Sequence, residues 1–226
     1  MSALTTRMLV LGVVNIFGPA NGYQLRRELL SWEVERWAHL NPGSIYSMLA
    51  TLEKQGAIDR HDIALEDGGR PVAVYTTTDA GRAEFQNLVF EGIATVPDSG
   101  DALPLRVALN FGPAMPRARF LTAVRGRIEV MVMGREMIVQ KIAHMQKLNT
   151  IPPHVVSELG LELALIDAQL GWLRQLETEV DGGALEFIDD PHHGTSWSPA
   201  ADDPGWAMAE ERERYVARIA EQKRPA

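Results

Sequence analysis

The stretch from Pro42 to Gly56 constrains the fold of this chain more than any other. Apolar residues recur in it at i, i+3, i+4 and i+7, which predicts a helix with one buried side: Ile45, Met48, Leu49 and Leu52. Asn41 followed by Pro42 is typical of a helix start, and Gly56 is typical of a helix end. We therefore expect a helix from Pro42 to about Gln55.

The opposite side of this helix is small, hydroxylated and basic. At 100° per residue it comprises Gly43, Ser47, Ala50 and Lys54, flanked by Tyr46 and Thr51. A face without bulky side chains can lie close to a flat or grooved partner.

The elements around this helix indicate a winged helix-turn-helix. An apolar helix is predicted from about Leu4 to Phe17, and Asn21 can cap a second helix from Gly22 to Leu30. Two β-rich runs follow the third helix, residues 58–65 and 72–76, joined by the hairpin signal of residues 66–70. In such a module the third helix enters the DNA major groove and the wing touches the flanking backbone or minor groove.

Three motifs and the wing between them resemble the DNA-binding half of the PadR family of bacterial transcriptional regulators. They are GYQLRREL in the second helix, GSIYSMLATLEKQGAI in the third, and VYTTTDAGR after a hairpin with Gly-Gly-Arg at its tip. The likeness covers roughly residues 4–90. It implies DNA binding, usually as a repressor, by a homodimer held through C-terminal helices, and some members of the family respond to phenolic acids or multidrug ligands.

The face of the third helix and the resemblance together give the candidate DNA-contacting residues. Those on or near the two helices of the motif are Gln24, Arg27, Asn41, Gly43, Ser44, Tyr46, Ser47, Thr51 and Lys54. Arg70, beside two glycines, is the expected wing contact with phosphate or the minor groove. The predicted partner is double-stranded DNA.

The C-terminal half is predicted to form an antiparallel helical hairpin for dimerisation. After a polar linker at residues 94–104, apolar residues continue in an a/d heptad interrupted only at Arg135: Leu121, Val124, Ile128, Met131, Ile138, Ile142 and Met145. A second helix, residues 154–179, carries two apolar faces, the second made by Leu165, Ala168, Trp172 and Leu176. A helix with two such faces needs two partners, and the second is most simply another subunit. The first helix of the chain, apolar nearly all round, is likewise expected to be covered both by its own domain and by a partner helix.

The predicted fold class is therefore mainly α with a small β-wing. Residues 1–93 would form the DNA-binding domain, 94–104 the linker, and 105–180 the dimerisation domain. Residues 181–226 would form a partly ordered extension with a last helix near residues 205–223, in which Trp206, Tyr215 and Ile219 could dock.

Composition bounds these expectations. The chain has no cysteine, which excludes disulfides, thiolate nucleophiles and cysteine-based metal sites and suits a cytoplasmic protein, and no stretch is long enough to span a membrane. The net charge is −8, and residues 1–91 hold 8 Lys and Arg against 11 Asp and Glu. This acidic balance favours the alternative of a winged helix that binds protein instead of DNA.

No catalytic constellation, metal site or cofactor motif is predicted. The clustered histidines, His192 and His193 beside Asp189 and Asp190, are adjacent in sequence, so their side chains diverge. An apolar or aromatic effector bound between the two halves would stack on tryptophan, and the candidates are Trp32, Trp37 and Trp172. For Trp32 and Trp37, packing over the hydrophobic core is the competing interpretation.

Overall fold

The predicted fold class is confirmed: helices build most of the chain, and the only sheet in the described residues is a small antiparallel one. The computed structural model describes residues 3–64, 70–97, 100–148, 151–191 and 205–222. Within these ranges the elements are α1 (Ala3–Phe17), β1 (Ala20–Asn21), α2 (Gly22–Ser31), α3 (Val34–Trp37), α4 (Pro42–Lys54), β2 (Ile58–Ile63), β3 (Val72–Thr77), α5 (Asp79–Ala94), α6 (Leu103–Asn110), a 3₁₀ turn (Gly112–Ala114), α7 (Arg117–Leu148), α8 (Pro153–Asp181) and α9 (Gly205–Gln222).

The sheet has three strands in the order β1-β3-β2, and the sequence predicted only two of them. β2 pairs with β3 from Ile58 opposite Thr77 to Ile63 opposite Val72. β1 pairs Ala20 with Tyr75 and Asn21 with Val74. Because side chains alternate along a strand, Asn21, Ile63 and Val74 share the face of the sheet that points away from the main core.

The first helix is covered within its own chain. Residues 8–11, 13 and 14 of α1 are buried in a core that α4, α5, α6 and β3 complete. The sequence suggested that a partner helix would cover one side of α1, and this expectation is wrong for the described residues, since α6 supplies part of that cover. Only Leu4 and Ile16, near the two ends of the helix, stay exposed among its large apolar residues.

The winged helix and the C-terminal helices share one continuous core. Phe111, at the end of α6, packs edge-on to Phe85 of α5 with ring centroids 5.3 Å apart, and it also contacts Trp32. Arg127 of α7 is buried and donates from Nη1 to the backbone carbonyls of Ile93 and Thr95 at the end of α5. Burial lowers the pKa of Arg127, and its two hydrogen bonds fasten α7 to the winged helix.

The two long helices, α7 and α8, pack as an antiparallel hairpin. Arg125 pairs with Glu177 at 2.6 Å, whereas Arg135, further along α7, pairs with Asp167, earlier on α8. The charged position that interrupts the heptad is therefore matched by an acid on the facing helix. The hydrogen bond from Arg135 holds the pKa of the Asp167 carboxyl below its usual range.

The residues after α8 fold back onto the start of α7. Phe187 is fully buried against Phe120, and Arg117 bonds Asp190 and the carbonyl of Leu185. The first ten residues after Asp181 are thus part of the folded structure. The domain boundaries stay a prediction, and several predicted features lie outside the described residues: the hairpin turn at 66–69, the break at 149–150, the pair His192 and His193, and the side chain of Trp206.

None of the helices in the described ranges combines the length and the apolar composition that a bilayer crossing requires.

Candidate nucleic-acid interface

Helix α4 begins and ends where its sequence predicts, and its burial is one-sided. The Asn41 side chain accepts a hydrogen bond from the backbone N–H of Ser44 at 2.9 Å, and Gly56 follows the last turn with φ +74°. Ile45, Leu49 and Leu52 are fully buried against α1 and α2, and Met48 is half-buried. The remaining side is open to solvent: Gly43, Tyr46, Ser47, Ala50, Thr51 and Lys54.

The hydroxyl groups on this open side already donate to the helix backbone. Ser47 Oγ donates to the carbonyl of Gly43 at 3.0 Å, and Thr51 Oγ1 donates to the carbonyl of Ser47 at 2.8 Å. A hydroxyl in this state offers its lone pairs outward and can accept from an amino group; it must rotate before it can donate to a phosphate.

Tyr46 and Lys54 stand at different places along the open side. The Tyr46 ring lies on Gly22 at the start of α2, so close that a Cβ at Gly22 would be 2.9 Å from the ring. Tyr46 is still 47% exposed, so it contacts α2 and keeps part of its surface open to solvent. Lys54 occupies the last turn of α4 and is exposed. Two shallow clefts run beside α4, one lined by Thr6, Asn41, Gly43, Ser44, Ser47, Met48 and Thr51, the other by Ala50, Thr51, Lys54 and Gln55.

The basic side chains around α4 are not equally available. Arg70 is exposed at the end of the wing, next to the undescribed residues 65–69. Arg27 on α2 forms an ion pair with Glu28, with 3.8 Å between Arg27 Nη2 and Glu28 Oε1. Arg60 on β2 is held by Asp62 at 3.0 Å, and this hydrogen bond raises the pKa of Arg60. Asp62 therefore compensates much of the charge that Arg60 contributes to the wing.

Gln24 differs from the other candidate residues because it is only 4% exposed. Its Oε1 accepts from the backbone N–H of Asn21 at 2.8 Å, which completes a capping box at the start of α2. Its Nε2 donates to the carboxylate of Glu211 on α9. Sequence reasoning noticed Tyr215 and Ile219 as docking residues of the last helix but gave no signal that Glu211 would reach α2.

Trp32 and Trp37 are joined by a hydrogen bond, whereas Trp172 lies on a different helix, α8. Trp37 donates from its indole N–H to the carbonyl of Trp32 at 2.7 Å, and Arg106 lies over its ring at 4.7 Å. Trp32 packs between Phe17 and Phe111, as expected of residues that cover the core. Trp172 is on the outer side of α8 and 44% exposed. Neither of the two clefts beside α4 is lined by a tryptophan, and effector binding at these residues stays a prediction.

No group of three or more histidine and acidic side chains in the described ranges is placed to hold a metal ion. Asp190, which precedes the histidine pair, is bonded to Arg117.

Comparison with known proteins finds a family match in the N-terminal part of the chain. Residues 10–87 match the model of the Transcriptional regulator PadR-like family. None of the curated proteins matches the chain.

Three solved structures are similar to the chain. The protein smu.1604c from Streptococcus mutans has 19% identity and a TM-score of 0.35, over 77% of this chain and 98% of the other. PadR of Bacillus subtilis in complex with operator DNA has 16% identity and a TM-score of 0.35, over 77% and 98%. The PadR-like transcriptional regulator BC1756 of Bacillus cereus has 20% identity and a TM-score of 0.33, over 79% and 99%. The match to the PadR-like family at residues 10–87 therefore spans β1, α2, α3, α4, β2 and β3 together with parts of α1 and α5.

Proposed function

We propose that this protein is a cytoplasmic regulator that binds double-stranded DNA as a homodimer and represses transcription by occupying its operator. The observation that carries the proposal is the two-sided character of α4. Its apolar side is buried in the winged helix, and its open side exposes small and hydroxylated residues with one lysine. An α-helix with such a face fits the width of the major groove.

Different residues of α4 would contact different parts of the DNA. Gly43 and Ala50 let the helix axis approach the groove floor, and Ser47 and Thr51 accept from base amino groups. Lys54, at the C-terminal end, would contact a phosphate, as would Arg70 from the wing. Asn41, Ser44 and Tyr46 lie at the start of α4, and Arg27 lies on α2, where contacts with the DNA backbone would orient the helix.

Dimerisation is supported by the outer faces of the helical hairpin. Away from its seam with α7, helix α8 exposes a broad stripe of large and small apolar residues: Gly160, Leu161, Ala164, Leu165, Ala168, Gly171 and Trp172. A Cβ placed on Gly160 or Gly171 would meet no atom within 4 Å, so another helix could approach closely there. Helix α7 exposes a second apolar stripe that includes Val130, Met133 and Met137. Contiguous exposed apolar surface of this kind marks an interaction site.

A symmetric dimer would read an inverted repeat. Each α4 would enter one half-site, with the half-site centres about 34 Å apart or a multiple of that distance. Repression is the mode that the resemblance implies, and it requires only that the bound dimer exclude other proteins from the operator.

The alternative, a winged helix that binds protein, is favoured by the charges of the N-terminal part of the chain. Arg60 is compensated by Asp62, and residues 1–91 carry net negative charge, so non-specific attraction to DNA would be weak.

Selection of bound duplexes from random DNA decides between the two. The proposal predicts enrichment of an inverted repeat with half-sites about one helical turn, or a multiple of it, apart. Failure to enrich any duplex at low salt, with a folded protein, would favour the protein-binding alternative.

A further inference from the structure

The last described helix, α9, covers the face of the wing sheet that the main core leaves open. Tyr215 and Ile219, one turn apart on α9, are 9% and 8% exposed. They form a small separate cluster with Ile63 of β2 and Val74 of β3, against which Val72 is half-buried. An antiparallel sheet commonly leaves one face to solvent, and that face is then polar. Here the outer face carries apolar residues, and α9 covers them.

Polar contacts continue the same face of α9 in both directions. Glu211, one turn before Tyr215, accepts the hydrogen bond from Gln24 Nε2. The hydroxyl of Tyr215 accepts from Asn21 Nδ2 at 3.2 Å, and Gln222 Nε2 donates to the carbonyl of Asp62 at 3.1 Å. Positions 211, 215, 219 and 222 follow helical spacing, so one stripe of α9 contacts the start of α2 and the wing together.

These contacts place α9 on α2, which precedes α4 in the helix-turn-helix motif. Gln24 is a predicted DNA contact, yet its side-chain amide is buried by its bond to Glu211. Helix α9 is close to neutral, with four glutamates against three arginines over residues 209–222, but the group that contacts Gln24 is the carboxylate of Glu211. Two of those arginines pair with glutamates of the same helix, Arg214 with Glu210 at 3.8 Å and Arg218 with Glu221 at 3.3 Å. A phosphate backbone close to Gln24 would meet the carboxylate of Glu211.

The cluster beneath α9 is small compared with the main core. Among the residues that the structure describes, four buried apolar side chains and three hydrogen bonds join α9 to the wing and α2, whereas the core of the winged helix extends through α1, α2, α4 and α5. Regions with few buried apolar contacts open more readily than the core of a domain. Helix α9 can therefore leave the wing without unfolding the DNA-binding domain.

We infer that α9 is an intramolecular competitor of DNA: docked, it occupies Gln24 and the adjoining wing, and it must detach before α2 can contact a duplex. The inference rests on the proposed DNA-binding function. The apparent dissociation constant for DNA is then the intrinsic constant divided by the fraction of molecules with α9 detached. If α9 is docked in nine molecules out of ten, detaching it permanently tightens DNA binding roughly tenfold.

The test uses the full chain with two substitutions, Tyr215→Ala and Ile219→Ala, which remove the apolar anchors of α9. The matched control is Val216→Ala, because Val216 lies on the same helix but is 52% exposed. Affinity for the selected duplex is measured by fluorescence anisotropy. We expect the double variant to bind the duplex at least about tenfold more tightly than the parent chain does. The control should bind like the parent chain.

Hydrogen exchange of the parent chain gives a second, substitution-free readout. We expect the amides of residues 211–222 to exchange faster in the DNA complex than in the free protein. Weaker or unchanged binding by the double variant, or equal protection of these amides with and without DNA, would overturn the inference and indicate that α9 braces the wing. If neither the parent chain nor the double variant binds any duplex, the proposed function itself fails.

Discussion

Replacement of Leu165 by alanine tests the proposed dimer surface on α8. Leu165 lies at the middle of the outer stripe of α8 and is 56% exposed in the single chain. Full burial of a leucine side chain is worth about 1.5–3 kcal/mol. A partner that covers the exposed half would therefore gain about 1–1.5 kcal/mol from each copy of Leu165.

Twofold symmetry doubles this contribution. Each residue of an isologous interface is used twice, so Leu165→Ala should weaken the dimer by about 2–3 kcal/mol, or roughly 30- to 150-fold in its dissociation constant. The fold of the subunit should not change, since the side chain faces away from the seam between α7 and α8. Sedimentation over a dilution series measures the constant, and circular dichroism checks the helix content.

Leu185→Ala is the matched control. Leu185 is an exposed leucine in the turn after α8, outside the stripe, so its loss should leave the dimer unchanged. A dissociation constant that is the same for the Leu165 variant and the parent chain, or a parent chain that is monomeric at micromolar concentration, would refute the assignment of this surface.

Three further predictions concern the fold and the wing. Gly81→Ala should destabilise the chain by at least the ~1–3 kcal/mol that an overpacked core costs, because the new Cβ would stand 1.9 Å from the carbonyl oxygen of Ala57. Urea unfolding measures the loss of stability, and an unchanged midpoint would contradict the close packing of α5 on Ala57, which lies between α4 and β2. The lowered pKa of Asp167 means that its bond with Arg135 stabilises the chain above the unfolded-state pKa near 4 and that this contribution fades as the pH falls through the folded value. The difference in melting temperature between the parent and Asp167→Asn should therefore be small, as both groups are exposed, and should vanish in acid; a difference that grows below pH 4 would contradict the pairing. Arg70→Ala should lower the salt dependence of DNA binding by about one phosphate contact without changing the selected sequence. Arg174→Ala on α8 is the control and should leave the salt dependence unchanged. If the two variants change the salt dependence equally, the wing is not part of the interface with DNA.

Local chemistry made much of the fold predictable. The caps Asn21 and Asn41 hold helix starts where the sequence places them, and Gly56 takes the left-handed conformation expected of it. The heptad of α7 predicted a helix that packs along another helix, because its periodicity is visible within one segment. Each of these signals lies within a few residues of the structure it specifies.

Contacts between distant segments account for what the sequence did not predict. β1 has two residues and no periodicity, and it forms only because β3 offers it a pairing edge. Gln24 reads as an exposed polar residue at the start of a helix, yet it is covered by a helix 187 positions further along the chain. The packing of α6 on α1 is a contact of the same kind, because the apolar pattern of each helix predicts a buried face but not which helix will cover it.

The affinity of α4 variants for the selected duplex tests most directly whether this helix reads the major groove. Lys54→Ala should weaken binding to every sequence and lower the salt slope by about one unit, because one phosphate contact is lost. Ser47→Arg should abolish sequence-specific binding, because a long side chain on the small face holds the helix away from the groove floor. Lys141→Ala, an exposed lysine on α7, serves as the control and should bind normally. If both α4 variants fold and bind the duplex as tightly as the parent chain, with the same salt slope, α4 is not the helix that reads DNA.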